Sequence, residues 1–171
     1  ATYGGTVTLG FALAWQRRAL PLVWRTWAWA VEEPGQDWAT ALREMALVVQ
    51  AALPRDTQVV VLADRGLSGA PFVRRWQALG WHFLLRVTRR TRVAQAGGEI
   101  RESGALAPTP GSQCCLRAVT LYAPRRKGHG HWETDWTAGV VLQVVAVWRR
   151  AEEAAWLLVT DRPATLARCR E

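Results

Sequence analysis

Cysteine is scarce in this sequence and poorly placed for cross-linking. Of the three residues, two are adjacent at Cys114 and Cys115, which gives neither an even disulfide framework nor a zinc-ligand spacing. A reducing compartment is the expected setting. Long hydrophobic runs are also missing. No apolar stretch approaches the ~20 residues needed to span a bilayer, and no signal peptide precedes the first strand-like run, so a soluble, cytoplasmic chain is expected. No motif repeats at a fixed period, and no long low-complexity tract is present. Lysine is nearly absent, since all but one of the 22 Lys+Arg residues are arginine. The chain opens at Ala1 without a methionine, inside what reads as the approach to a strand, and stops at Glu171 inside what reads as a helix. It is therefore expected to be a piece of a longer protein.

What the sequence does contain is apolar and basic. With 171 residues, 50% of them hydrophobic, it can bury one sizeable core and a small subdomain. The 22 basic residues against 14 acidic ones leave a net charge of +8 and a pI near 10.9, which points to a polyanionic partner. Arginine favours bidentate phosphate contacts, although a GC-rich genome enriches arginine without functional meaning.

Along the chain, 6–15 and 19–29 read as two β-rich runs joined by Gln16-Arg17-Arg18, a hairpin in which Pro21 belongs on an edge or at a bulge. From Asp37, a candidate N-cap, Trp38, Leu42, Met45, Val49 and Leu53 recur at helical spacing, with Arg43, Glu44 and Gln50 on a more polar face. Pro54 ends that helix. A short apolar strand over 59–63 follows, then a helix over 71–79 with Phe72, Val73, Trp76 and Leu79 inward, then a strand over 81–87. Beyond it, 91–94, 113–122 and 138–148 are β-rich segments separated by Gly- and Pro-containing loops. A strand over 156–160 leads to Asp161, a candidate N-cap for a last helix over 161–171.

The strand Val59-Val60-Val61-Leu62-Ala63 organises the rest, because it ends in the single charge of Asp64, followed by Arg65-Gly66. An all-apolar run of this length reads as a strand buried on both faces. The carboxyl end of such a strand is where open α/β sheets bind ligands, and an acid there can hold a metal ion or polarise a phosphate. A local alternative is a turn-forming Asp before Gly.

Four segments together resemble the insertion-sequence-four type of DDE transposase: the hairpin strand Ala19-Leu20-Pro21-Leu22-Val23-Trp24, the turn Ala63-Asp64-Arg65-Gly66, the run Gly80 to Val87, and the strand Trp156 to Asp161. The resemblance spans nearly the whole chain. It implies an α/β fold, a ribonuclease-H-like mixed sheet with helices and an inserted antiparallel β-rich subdomain. Its expected divisions are a partial core over 1–88 with the Asp64 strand central, the insertion over 89–160, and the start of a C-terminal helix over 161–171. It further implies metal-dependent cleavage and transfer of DNA strands, with Asp64 as the second of three catalytic carboxylates and a ligand of Mg²⁺ or Mn²⁺. Transposon-end and target DNA would be the partners, a homodimer the assembly, and the nucleoid of a prokaryotic cytoplasm the location. Two departures stand out. No Asp between Ala1 and Trp15 matches the family's first acid. No Tyr, Arg and Glu motif follows Arg162, so Glu171 receives no catalytic role. A fragment lacking those acids is expected to be inactive by itself. The alternative is a non-enzymatic DNA-binding relic of a mobile element.

The remaining charged features divide between solvated surface and phosphate contact. Arg65, Arg86, Arg89, Arg90 and Arg92 lie in or after the strands beside Asp64, and Arg125, Arg126 and Lys127 form a separate run. All are candidates for DNA-backbone contact. Asp161 closes an apolar strand as Asp64 does, but helix capping accounts for it. His129 and His131, with Glu133 and Asp135 nearby, could form a metal clip, yet their Gly-rich, basic surroundings favour an exposed loop. The eleven Trp are expected mostly as core and sheet residues. A phosphotransfer domain with Asp64 as phosphate acceptor fares poorly, because Arg65-Gly66-Leu67 supplies no neighbouring acid for Mg²⁺.

Overall fold

The computed structural model describes residues 2–3, 5–28, 38–126 and 132–163. They fall into two compact units, residues 1–57 and 58–171.

The first unit is a three-stranded antiparallel sheet, β1 (Thr2–Tyr3), β2 (Thr6–Trp15) and β3 (Arg18–Ala28), with helix α1 (Trp38–Ala52) packed on it. The hairpin between β2 and β3 closes through Gln16 and Arg17, both at positive φ, the backbone twist that a two-residue hairpin turn requires. The pairing slips one residue between Phe11 and Ala12, opposite Pro21 and Val23. Pro21 thus sits at a bulge on an edge strand, where its missing N–H leaves no ladder bond unmade. On α1 the helical spacing buries Leu42, Met45 and Val49, together with Ala41 and Ala46, while Arg43, Glu44 and Gln50 stay exposed. Val7 and Leu9 supply the buried residues of β2.

The second unit is built on a seven-stranded mixed sheet. Its strands are β4 (Val60–Ala63), β5 (His82–Arg86), β6 (Arg92–Gln95), β7 (Arg101–Glu102), β8 (Gln113–Arg126), β9 (Trp132–Val147) and β10 (Trp156–Thr160), in the order β4-β5-β10-β9-β8-β6-β7. β4 and β5 are parallel, joined through α2 (Ala70–Ala78), and all other pairs are antiparallel. Gly80 at φ +70° ends α2: its N–H donates to the Gln77 carbonyl and that of Trp81 to the Trp76 carbonyl, satisfying orphan carbonyls of the last turn. Val73 and Trp76 of α2 are fully buried, as are Phe83 and Leu85, Leu157 and Val159, and Val144. Trp76 and Trp81 stack at 6.0 Å between centroids. Each such large side chain contributes about 1.5–3 kcal/mol on burial, so this face of the sheet is where the unit's stability is concentrated.

This architecture corrects the expected fold class. The described residues are mostly β, with only two α-helices, and they do not form a helix-rich ribonuclease-H-like α/β core with a separate β insertion. The reason lies in β8 and β9. Their Val- and Leu-rich runs pair with each other over a long register, and β9 pairs directly with β10, so they extend the sheet of β4 and β5. The Asp64 strand is also at the sheet's edge and not at its centre. Its alternate side chains Val60 and Leu62 are 42% and 62% exposed, so the apolar run of β4 is covered on one face only. Among the described residues no helix is long and apolar enough to cross a membrane.

Candidate functional site

β4 ends at Ala63, and the chain turns at once: the Leu67 N–H donates to the Asp64 carbonyl and Ser68 Oγ to the Arg65 carbonyl, forming a short 3-10 turn over Arg65–Leu67. The carboxylate of Asp64 takes no part in that turn. It is 71% exposed, with Oδ1 3.8 Å from both Arg65 Nε and Arg86 Nη1. Contacts of that length at the surface contribute little to stability. Asp64 is therefore a charge held at a strand end without a structural task.

Arg86 reaches this position from the end of the parallel neighbour β5, which pairs Ala63 with Leu85. Its guanidinium lies 4.6 Å from the centroid of Trp156, the first residue of β10, a cation–π contact that orients the fork toward the strand ends. Leu62, Leu84 and Leu158 form the floor between them, and these residues bound an open cleft of about 400 Å³. The cleft is apolar at its base, with Asp64 and Arg86 as its two charges. It brings together three of the four segments that carry the transposase resemblance, as the adjacent strands β4, β5 and β10. The fourth, Ala19 to Trp24, is on β3 of the other unit.

Asp161 is a different kind of acid. Its Oδ1 accepts the Phe83 N–H at 3.2 Å and its Oδ2 lies 2.8 Å from His82 Nδ1, while Thr160 Oγ1 donates to the Phe83 carbonyl at 2.7 Å. It clasps β10 to β5. The expected helix over 161–171 lies mostly outside the described residues.

The predicted basic residues do not form one surface. Arg65 and Arg86 flank Asp64, and Arg89 and Arg90 follow two and three residues beyond Val87. Arg92 opens β6, with Nη2 3.8 Å from Glu102 Oε1. Arg125 and Arg126 close β8, opposite Glu133 and Trp132, whereas the first residue of β8, Gln113, pairs with Val147 beside Trp156. They therefore mark the end of the sheet away from the cleft. Lys127, His129 and His131 lie outside the described residues.

Among the described residues, those around Asp64 do not by themselves complete a site for a divalent ion. Among the described residues no group of three or more His, Cys, Asp or Glu side chains converges. One carboxylate leaves nearly all of the six oxygen positions of Mg²⁺ unfilled, and its near neighbours are cations. The described residues alone do not complete the metal site that the resemblance implies, which needs further acids beside Asp64.

Two features lie beyond what the sequence alone discloses. Trp15, Trp24 and Trp156, all on strands, are 58%, 64% and 45% exposed. The pairing of Arg86 with Trp156 joins residues 70 positions apart and depends on strand order, for which no local pattern exists. No protein-family model matches this chain, and no curated protein matches it either. The resemblance thus rests on the four segments alone.

Proposed function

We propose that this chain is part of a DNA transposase and that the Asp64 cleft is where it grips the DNA backbone. The observation that carries the proposal is the exposed carboxylate at the end of β4, set between two arginines at 3.8 Å on an open cleft. Arg65 and Arg86 present planar donor forks suited to phosphate oxygens. Asp64 lies between them as an exposed carboxylate, and Trp156 packs against the Arg86 guanidinium. The net charge of +8 supports a polyanionic partner, and such a protein would act on DNA in the prokaryotic cytoplasm. Strand cleavage and joining need further acids beside Asp64, so the described residues by themselves bind and do not cut.

That same lack of converging acids favours a second reading, a non-enzymatic DNA-binding relic. Asp64→Asn in the parent element separates the two. Under the transposase reading excision is abolished while duplex binding survives. Excision at the parental rate, or loss of binding together with excision, contradicts the catalytic assignment of Asp64.

A further inference from the structure

A second cationic feature stands at the same end of the sheet. β9 ends at Val147, opposite both Gln113 of β8 and Trp156 of β10. The residues that follow, Trp148 and Arg149, line an open cleft of about 340 Å³ with Gly111, Ser112 and Gln113. Trp148 is held at three points. Its N–H donates to the Ser112 carbonyl at 2.9 Å, its carbonyl accepts the Gly111 N–H, and its indole N–H donates to the Glu152 carbonyl at 2.9 Å.

Two arginines pack against this fixed frame. The Arg89 guanidinium lies 5.4 Å from the Trp148 ring centroid. The Arg89 side chain also passes over Gly104, where an added Cβ would come within 3.1 Å of Arg89 Cβ and Nε, and the Gly104 N–H donates to the Arg89 carbonyl. Arg150 passes over Gly111, where an added Cβ would stand 3.4 Å from Arg150 Nε. Glycine at 104 thus leaves the room that Arg89 occupies, whereas a Cβ at 111 would only make ordinary contact with Arg150. Among the described residues neither arginine has a carboxylate within 4.0 Å, although Glu152 and Glu153 lie in the same turn as Arg150, whereas Arg25, Arg65, Arg86 and Arg92 each have one. A guanidinium restrained by packing but not neutralised loses little side-chain freedom on meeting an anion.

We propose that Arg89 and Arg150 form a second phosphate-binding station, in which each arginine takes a backbone phosphate of the same duplex DNA that Arg65 and Arg86 hold. The station rests on the DNA-binding reading of the Asp64 cleft and adds to it a direction, along the strand ends from β4 toward the start of β8. The backbone phosphates of a duplex run in continuous rows, so a protein edge carrying separated, unneutralised arginines matches them better than it matches one isolated anion.

The test is fluorescence anisotropy of a labelled duplex oligonucleotide across a salt series, with wild-type chain, Arg89→Gln/Arg150→Gln and Arg65→Gln/Arg86→Gln. Each pair should make the slope of log K against log salt shallower by about 1.8, at about 0.9 for each phosphate no longer neutralised. Combining the pairs should add the two effects. Wild-type affinity and slope in Arg89→Gln/Arg150→Gln, with weaker binding in Arg65→Gln/Arg86→Gln, would overturn the station and leave the Asp64 cleft standing. No binding by the wild-type chain would remove the cleft reading itself. Arg89→Lys keeps the charge and should keep the slope; a shallower slope in Arg89→Lys would mean that packing on Trp148, and not phosphate neutralisation, explains the effect. If the double variant melts below the wild type, Arg150→Gln alone, on an exposed turn, carries the test with an expected change of about 0.9.

Discussion

The two strand-end acids should respond to truncation in opposite ways, and the difference can be worked out from their partners. Asp161→Ala removes the acceptor of the Phe83 N–H, a donor on a fully buried residue, and leaves it unpaired. An unsatisfied buried donor costs about 1–3 kcal/mol. The interaction with His82 adds less than about 1 kcal/mol, because the side chains are 40% and 22% exposed and water screens them. Together the loss should be about 2–3 kcal/mol. For a unit of residues 58–171 that lowers the melting temperature by roughly 10 °C. Asp161→Asn retains one carbonyl oxygen for the Phe83 N–H and should cost about 1 kcal/mol or less. Asp64→Ala removes only exposed partners at 3.8 Å, so stability should stay within about 0.5 kcal/mol of wild type. Urea unfolding followed by tryptophan fluorescence, to which the buried Trp76 and Trp81 pair contributes, reads all three variants. Equal destabilisation by Asp64→Ala and Asp161→Ala would refute the reasoning, since Asp64 would then be a structural residue like Asp161.

Phe83→Ala, at a fully buried position on β5, should cost about 3–5 kcal/mol and abolish the cooperative urea transition of the second unit. Cys114 offers a pH test: partial burial pushes its thiol above the ordinary value, although Arg101 pulls it down. The thiolate is the nucleophile, so iodoacetamide labelling of Cys114 should be slow at neutral pH and rise only above the usual cysteine range. Because the folded state holds that proton to higher pH than the unfolded state, its contribution to stability is complete below the unfolded value and is lost as pH rises through the folded one. Fast labelling of Cys114 at pH 7, measured by mass spectrometry of the folded chain, would contradict this.

Local structure is largely legible in the sequence, and long-range order is not. Strands β2 and β10, helix α1 to within a residue, the bulge at Pro21 and the stop of α2 before Trp81 all follow from short-range rules of turn geometry, proline and periodicity. The place of β4 does not follow. A run such as Val60 to Ala63 looks alike in a central strand and in an edge strand whose open face is apolar, because periodicity cannot see the next strand. β8 and β9 are recognisable as β-rich, but the direct pairing of β9 with β10 is a fact of register between strands, which no local pattern encodes. The site shows the same divide. Asp64 stands out by its place at the end of an apolar run, and Arg86 is among the basic residues that the sequence sets beside it. The role of Trp156, the engagement of Asp161 with β5 and the unneutralised charges of Arg89 and Arg150 depend on contacts across strands.

The most direct measurement of the central claim is duplex DNA binding by the wild-type chain across a salt series. If Arg65 and Arg86 each hold a phosphate, log K should fall linearly with log salt at a slope of at least about −1.8, at about −0.9 per phosphate. Asp64→Asn should bind as tightly or more tightly, since it removes a negative charge from the cleft. Binding that does not change with salt, or no binding at low salt, would contradict the account.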